Sequence, residues 1–284
     1  MKVSSVITVL ALASSTLAAP LQQAISKRAG PGKRGLCWPF YNGPLDPAKF
    51  NDGQGSVNLI YDYETFAPPS SNGNGGLNFI GMQRCLDCQS SPISQLAARQ
   101  KQLGFATLFT LNEPDINGIS PQTAADWYKQ NINPIAIKKA LPAVTASTAP
   151  GQGLDWLNQM VAACAGNCFF DYINLHHYGS SFQQFQDFVN AAHAQHPDKQ
   201  IVVTEFALQN PAGGQADQVA YYKQAFKFLD EAPFVEMYFP FLASTPSLFS
   251  ANDAAGVGFV GTGSALFNDD KSVSAVGQLM FQTF

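Results

Sequence analysis

The sequence predicts a single (β/α)8 TIM barrel, an α/β fold in which eight parallel strands alternate with helices. Short apolar or β-branched runs recur eight times after residue 34, and segments with helical periodicity lie between most of them. Strands that alternate with helices pair in parallel through right-handed crossovers. No composition shift marks a linker, so one domain is expected from residue 35 to residue 284.

The predicted barrel has eight strands. They are Gly35–Tyr41, Val57–Tyr63, Asn78–Gln83, Ala106–Leu111, Leu141–Ala146, Asp171–His176, Ile201–Phe206 and Phe234–Phe239. A doubly wound open sheet is the structural alternative. That fold usually carries a Gly-rich turn after its first strand, and Cys37-Trp38-Pro39-Phe40 is not one.

Two of the predicted helices have clear starts. Ser91-Pro92 and Ser120-Pro121 each combine an N-cap residue with a proline at the first helical position. Apolar residues at helical spacing then mark one buried face. The same periodicity predicts further helices over Leu154–Val161, Phe182–Val189 and Val219–Leu229, and a closing helix over Ser272–Phe281.

The first 34 residues are interpreted as targeting and processing sequence. Residues 1–18 resemble a signal peptide, with an apolar run from Val6 to Ala13 and cleavage after Ala18. The protein is therefore expected to be secreted, either extracellular or in the cell wall. Residues 19–34 are a possible pro-segment or linker. Its basic pairs, Lys27-Arg28 and Lys33-Arg34, are either dibasic processing sites or exposed basic clusters, and both interpretations stay open.

Secretion makes the five cysteines candidates for disulfide bonds. Cys164 and Cys168 could close a small loop after a helix, and Cys85 and Cys88 could form a tight bridge. A redox or metal-binding CxxC is the alternative for the second pair, although the chain has no second CxxC and no histidine at ligand spacing. Cys37 is left over as a buried thiol, unless it takes another partner.

The composition limits the partners. With 46% hydrophobic and 13% charged residues, the chain is expected to form a packed globular protein. Its net charge of −4 gives no electrostatic footprint for nucleic acid. No apolar stretch is long enough for a transmembrane helix, so no membrane partner is expected.

Polar and aromatic residues follow several of the predicted strands. The active site of such a barrel lies at the carboxyl ends of its strands. There the fourth strand ends in Asn112-Glu113, the sixth in His176-His177-Tyr178 and the seventh in Glu205, while Trp38, Tyr63 and Tyr238 end the first, second and eighth. One of the paired histidines is expected to face outward.

Two facing carboxylates are what glycosidic cleavage requires. One must be protonated to assist the leaving oxygen, and the other must be ionised to attack or to activate water. Asn112 supplies an amide beside Glu113 that could bind a sugar 2-hydroxyl. No third ligand stands at a suitable spacing from His176-His177, so no metal site is expected. Tyr63 is either barrel packing or a platform for a sugar ring.

A longer set of motifs resembles one family. The motifs are Leu111-Asn112-Glu113-Pro114-Asp115, Pro142-Ala143-Val144, Trp156-Leu157, His177-Tyr178-Gly179 and Val203-Thr204-Glu205-Phe206-Ala207. Together they resemble glycoside hydrolase family 128, the fungal alkali-sensitive-linkage-like glycosyl hydrolases of clan A. The resemblance covers roughly residues 35 to 284.

This resemblance implies a retaining β-1,3-glucanase with Glu113 as acid/base and Glu205 as nucleophile. Asn112 would hold the sugar 2-hydroxyl, and Tyr178 or His176 would contact the nucleophile or the sugar. Trp38 and Tyr238 would line the subsite next to the scissile bond. The family often has tryptophan after the eighth strand, where this chain has Tyr238-Phe239-Pro240-Phe241.

The resulting expectation is a secreted, monomeric, endo-acting enzyme that binds β-1,3-glucan polysaccharide or oligosaccharide and needs no cofactor. A retaining mechanism predicts a carboxyl separation of about 5–5.5 Å. An exo-β-1,3-glucanase, another clan A β-glycanase and a non-catalytic glucan-binding wall protein are the alternatives.

Overall fold

The computed structural model describes residues 30–284, so the predicted signal peptide and most of the possible pro-segment lie outside the described residues. Nine strands form one parallel sheet that curls into a nearly closed barrel. They are β1 (Arg34–Cys37), β2 (Val57–Tyr61), β3 (Asn78–Phe79), β4 (Gly81–Gln83), β5 (Thr107–Asn112), β6 (Lys138–Ala143), β7 (Tyr172–Gly179), β8 (Gln200–Leu208) and β9 (Val235–Tyr238). The predicted TIM barrel is confirmed.

The barrel has nine strands rather than eight because the predicted third strand is broken at Ile80. β3 pairs with β2, whereas β4 pairs with β5 on the other side. The amide of Ile80 donates to the Ile60 carbonyl at 2.9 Å, and the amide of Met82 donates to the Glu64 carbonyl at 2.8 Å. These bonds bring the two ends of the sheet, β3 and β4, together through one broken strand.

The described residues form eight α-helices, five between the strands and three after β9. They are α1 (Leu96–Leu103), α2 (Pro121–Trp127), α3 (Gly153–Cys164), α4 (Phe182–Gln195), α5 (Gln215–Glu231), α6 (Pro246–Asn252), α7 (Ala254–Val260) and α8 (Ala275–Gln278). Ser120 caps α2 as predicted, since its hydroxyl accepts from the Thr123 amide at 3.1 Å. Ser91 does not cap α1; its hydroxyl instead bonds the Glu64 carboxylate and the Thr65 amide.

The interior of the barrel is filled by aromatic side chains. The rings of Tyr61, Phe109 and Phe239 meet edge to face, with centroids 5.1 to 5.7 Å apart. Edge-to-face contacts are a favoured geometry for aromatic pairs. This packed layer closes the barrel beneath its carboxyl-terminal end and leaves that end free for a site.

The barrel begins with Lys33 and Arg34, which were predicted to end the pro-segment. The Lys33 ammonium donates to three carbonyls at the end of α5, and burial lowers the pKa of that ammonium. Arg34 forms an ion pair with Asp230 at 2.5 Å, and its Nε donates to the Tyr238 hydroxyl at 2.6 Å. Both side chains are buried, so the interpretation of this pair as an exposed basic cluster is wrong, and the barrel includes Arg34.

Breaking this buried ion pair is expected to destabilise the fold. Replacing Arg34 with methionine leaves Asp230 buried without its cation, which costs about 3–5 kcal/mol of the free energy of unfolding. Denaturant unfolding measures the loss. Lys227→Met, which breaks the exposed pair with Glu231, is the control and should cost less than about 1 kcal/mol. Equal effects of the two substitutions would contradict this account of Arg34.

Both predicted disulfide bonds are confirmed. Cys85 bonds Cys88 between β4 and α1, and Cys164 bonds Cys168 at the end of α3. Cys37 is the free cysteine of the described residues, and it is buried. Within residues 30–284, none of the helices combines the length and the apolar character that crossing a bilayer requires.

Candidate active site

The two predicted carboxylates meet at the carboxyl-terminal end of the barrel. Glu113 directly follows β5, where its amide donates to the Ala143 carbonyl of β6 at 2.9 Å. Glu205 lies within β8, and β7 pairs with β8 so that His176 is its partner across the two strands. Neighbouring parallel strands thus deliver all three side chains to the same end.

His176 lies between the two carboxylates. Its Nδ1 is 3.0 Å from Glu113 Oε1 and 3.4 Å from Glu205 Oε2. Among the described residues, these three side chains bring one ligand atom each within 4.8 Å of one another. The oxygens of Glu113 and Glu205 are therefore close enough to act on the same glycosidic bond.

Two tyrosines hold the carboxylate of Glu205. Tyr63 donates to Oε1 at 2.8 Å and Tyr178 donates to Oε2 at 2.6 Å. Burial raises the pKa of Glu205, and the charge of Glu113 adds to that effect, while His176 and the two hydroxyls oppose it. The ionised form of Glu205 therefore depends on these hydrogen bonds.

The hydrogen bond at Nε2 of His176 determines which ring nitrogen bears the proton of the neutral imidazole. The Thr204 hydroxyl donates to Asn174 Oδ1 at 2.7 Å, so its oxygen accepts from His176 Nε2 at 2.9 Å. A neutral imidazole then presents a bare Nδ1 to Glu113, and this nitrogen accepts a hydrogen bond from the Glu113 carboxyl when that carboxyl carries a proton. Burial lowers the pKa of His176, but the facing carboxylates of Glu205 and Glu113 outweigh it and raise the pKa overall.

Removing one tyrosine hydroxyl is expected to shift the pH dependence of any reaction that needs ionised Glu205. Tyr178→Phe removes a donor to the charged form, so the pKa of Glu205 rises and the acid limb of kcat/KM moves about one pH unit higher. The pH profile of kcat/KM measures this shift. Tyr221→Phe is the matched control, because that buried hydroxyl has no hydrogen-bond partner in the described part of the chain. An unshifted limb in Tyr178→Phe would refute the role.

The carboxylates open into a cavity of about 690 Å³, which we call the central cavity. Its walls come from the loops after β5 and β6 and from α7. The lining residues are Tyr63, Asn112, Glu113, Ile116, Thr145, Ala146, Ser147, His176, Tyr178, Glu205, Phe241, Asp253, Ala255, Gly256, Phe259 and Val260. The structure thus gathers six predicted site residues, and the buried Asn112 Oδ1 has no hydrogen-bond partner among the described residues.

Two predicted sugar contacts lie elsewhere, and the expectation is corrected. Trp38 is fully buried, and its indole donates to the Pro69 carbonyl at 2.9 Å. Tyr238 is also fully buried; its hydroxyl donates to Asp230 at 2.8 Å beside α5. Phe241, three residues after Tyr238, is the aromatic residue after the last strand that does line the central cavity.

Other residues of the central cavity escaped the sequence analysis. Phe259 on α7 and Ile116 after β5 are exposed large apolar side chains on its wall. The sequence gives only a weak indication of these two residues, because nothing but a position near a strand end or on a loop distinguishes them.

His177 faces away from the central cavity as expected, with its ring against Phe185 and Phe188 of α4. Burial lowers the pKa of that histidine to about 4.

Two residues of the site, Glu113 and Tyr63, have strained backbone conformations. Glu113 has φ of 47° and Tyr63 has φ of 66°, the left-handed region that side chains other than glycine seldom adopt. The loop that carries Glu113 is anchored by Asp115, whose Oδ2 accepts from the Thr145 hydroxyl at 2.6 Å and from the Gly153 amide at 2.9 Å. Such strain persists where surrounding contacts determine the conformation, and it is frequent at functional sites.

The trio Glu113, His176 and Glu205 offers donor atoms of the kind that metals bind. Its atoms are, however, committed to other partners. Both oxygens of Glu205 accept from tyrosine hydroxyls, and both nitrogens of His176 face hydrogen-bond partners. The chemistry of this donor set is that of a hydrogen-bonded carboxylate pair, which can carry and receive protons and attack a carbon centre.

Comparison with known proteins identifies the family. The model of the glycosyl hydrolase catalytic core matches residues 35–279. A solved glycoside hydrolase family 128 (subgroup IV) endo-β-1,3-glucanase from Lentinula edodes is 57% identical, with a TM-score of 0.86 over 88% of this chain and 100% of that chain. The chain belongs to glycoside hydrolase family 128. The resemblance predicted from the motifs is thereby confirmed.

Two further relatives of this family 128 protein are more distant in sequence. Alkali-sensitive linkage protein 1 of Schizosaccharomyces pombe is 30% identical in an alignment of length 258 that covers 87% of this chain and 44% of that protein. The chain thus spans less than half the length of that curated relative. A subgroup III curdlan-specific exo-β-1,3-glucanase from Blastomyces gilchristii, 24% identical with a TM-score of 0.68 over 89% of this chain and 99% of that chain, shares the fold.

Proposed function

We propose that this protein is a secreted, retaining endo-β-1,3-glucanase. The observation that carries the proposal is the pair formed by Glu113 and Glu205, joined by His176 at the carboxyl-terminal end of the barrel. The 57% identity to the Lentinula edodes endo-β-1,3-glucanase supports the substrate class and the endo mode. The predicted signal peptide supports secretion.

The mechanism we propose is a double displacement. Glu205 attacks the anomeric carbon, while Glu113 gives its proton to the leaving glycosidic oxygen. In the second step Glu113 takes a proton from a water molecule, which attacks the anomeric carbon and releases Glu205. One oxygen of Glu113 and one of Glu205 lie within 4.8 Å of each other, which favours this course, because the carboxyls of an inverting pair stand about 6.5–9.5 Å apart to leave room for water.

The neighbours of the two carboxylates suit these roles. Tyr63 and Tyr178 stabilise the charge of Glu205 before the attack, and their hydroxyls remain beside it when the glycosyl bond breaks. His176 Nδ1 lies within 3.4 Å of both carboxylates and can accept a hydrogen bond from Glu113 when Glu113 carries the proton. Asn112 presents an unsatisfied amide oxygen next to Glu113, where a sugar hydroxyl could donate to it. Glu205 must be ionised and Glu113 protonated at rest, which favours mildly acidic conditions.

Hydrolysis of defined polysaccharides tests the substrate class. We expect the purified protein to release reducing sugar from laminarin, a β-1,3-glucan, and to release none from carboxymethylcellulose or mannan. Early products from laminarin should be a mixture of oligosaccharides, as internal cleavage gives, rather than glucose alone. Glucose as the sole early product would replace the endo assignment with exo, and cleavage of the β-1,4-linked polymers alone would overturn the substrate class.

A further inference from the structure

Cys37 is a fully buried thiol that the proposed mechanism does not use. It ends β1, and its Sγ lies 2.8 Å from the hydroxyl oxygen of Tyr63 and 3.4 Å from that of Tyr61. The rings of Tyr61 and Tyr63 meet edge to face, with their centroids 5.0 Å apart. Because Tyr63 donates to Glu205 Oε1, the thiol is linked to the proposed nucleophile through one intervening hydroxyl.

The protons of the two tyrosine hydroxyls are already committed. Tyr63 donates its proton to Glu205. Tyr61 donates to the Thr204 carbonyl at 2.8 Å, since a carbonyl oxygen can only accept. The S–H of Cys37 is therefore the donor to the Tyr63 oxygen, its nearer partner. Burial raises the pKa of the Cys37 thiol and the charge of Glu205 raises it further, so the thiol keeps this proton.

Hydrogen bonds in such a chain strengthen one another. A hydroxyl that accepts a hydrogen bond becomes a stronger donor, so the bond from Cys37 strengthens the bond from Tyr63 to Glu205. The backbone of Tyr63 is in the left-handed region, so contacts around the residue, rather than its own preference, hold its conformation. An apolar residue of similar size at position 37 would fill the space but would leave the Tyr63 oxygen without this donor.

We propose that Cys37 is a positioning residue for Glu205, which acts by directing the Tyr63 hydroxyl at the carboxylate. The proposal rests on the proposed function, in which Glu205 is the nucleophile. Cys37 is fully buried and does not line the central cavity, so it touches no part of a sugar bound there. Loss of its S–H should therefore lower kcat and leave KM unchanged.

Substitution of Cys37 tests this role through the pH profile. Cys37→Ala removes a bond that favours the ionised carboxylate, so the pKa of Glu205 rises. The acid limb of kcat/KM should move about half a pH unit higher, less than in Tyr178→Phe because a thiol is a weak donor. Cys37→Ser keeps a donor at the same place and should restore the parent profile. Ile201→Val is the matched control, since it also removes one buried heavy atom, near the start of β8, and breaks no hydrogen bond.

Carbon-13 titration of the glutamate carboxyls measures the pKa of Glu205 without any substrate. The chain has five glutamates, and the resonance that disappears in Glu205→Gln is that of Glu205. Cys37→Ala should show the same rise of about half a pH unit in this titration. The other titratable groups that face Glu205 are unchanged in Cys37→Ala; they are Glu113, His176, Tyr61, Tyr63 and Tyr178.

The Tyr63→Phe background shows whether Cys37 acts through the hydroxyl. There Cys37→Ala should cause no further rise in the pKa of Glu205, because the group that links the two residues is gone. An equal rise in both backgrounds, an unchanged pKa in Cys37→Ala, or the same rise in Ile201→Val would overturn the proposal. The expected rise in a protein that hydrolyses no glucan would uphold the positioning of Glu205 and overturn the proposed function alone.

Discussion

Replacing Glu205 with glutamine is expected to lower kcat on laminarin to the detection limit. The amide cannot attack the anomeric carbon, so no glycosyl-enzyme forms and the first step of the double displacement is lost. Glutamine has nearly the same shape. One of the hydroxyls of Tyr63 and Tyr178 can still donate to its carbonyl oxygen, and the other can accept from its amide group. Folding should therefore be retained, because the substitution also removes the cost of a buried charge.

The control for Glu205→Gln separates loss of chemistry from loss of structure. Its free energy of unfolding should equal or exceed that of the parent protein, and calorimetry should still detect binding of laminarihexaose. Glu231→Gln, at an exposed position on α5 far from the cleft, should keep full activity. Laminarin turnover by Glu205→Gln within tenfold of the parent rate would contradict the assignment of the nucleophile.

Replacing Glu113 with alanine is expected to slow laminarin hydrolysis by about 10²–10⁴-fold. The leaving sugar hydroxylate then departs without a proton, and in the second step no base activates the water. An activated leaving group needs no proton, so a dinitrophenyl β-laminaribioside should still form the glycosyl-enzyme. Hydrolysis of that glycosyl-enzyme by water should be slow, so a burst of dinitrophenolate should precede the slow steady state.

Added azide sharpens the test of Glu113→Ala. Azide needs no general base, and it should speed the second step and give the β-glycosyl azide, the product of attack on the glycosyl-enzyme. Equal rate losses on laminarin and on the dinitrophenyl substrate, with no burst, would show that Glu113 is not the acid/base. The hydrogen bond between Glu113 and His176 Nδ1 orients the Glu113 carboxyl, which in this account carries the proton that the leaving oxygen receives.

The sequence predicted the barrel and the positions of both carboxylates because their determinants are local. Each glutamate stands at a strand end, and parallel strands bring their carboxyl ends to one side. The pairing of His176 with Glu205 follows from adjacent strands in the same way. Family motifs then assigned the roles that position alone leaves open.

Tyr238 was misplaced because side chains alternate along a strand. Tyr238 faces α5, whereas Phe239 enters the barrel, so a shift of one residue exchanges the inside for the outside. The wall formed by α6 and α7 could not be predicted either. Ser, Ala and Gly dominate the stretch after residue 242 and give no clear periodicity, and its position depends on contacts distant in sequence.

The break at Ile80 is a third feature beyond the reach of sequence patterns. Asn78–Gln83 looks like one continuous strand, and its two halves separate only because the barrel must close between β2 and β5. The ion pair between Glu64 and Arg84 depends on the same closure, since Glu64 follows β2 while Arg84 follows β4. Global geometry, rather than local preference, determines both.

The stereochemistry of hydrolysis tests the central claim most directly. Proton NMR during the first minutes of laminarihexaose hydrolysis reports the anomeric form of the newly released reducing ends before they mutarotate. A double displacement through Glu205 predicts that the β-anomer appears first and the α-anomer grows in later. The α-anomer as the first product would show single-step inversion and would contradict the retaining mechanism.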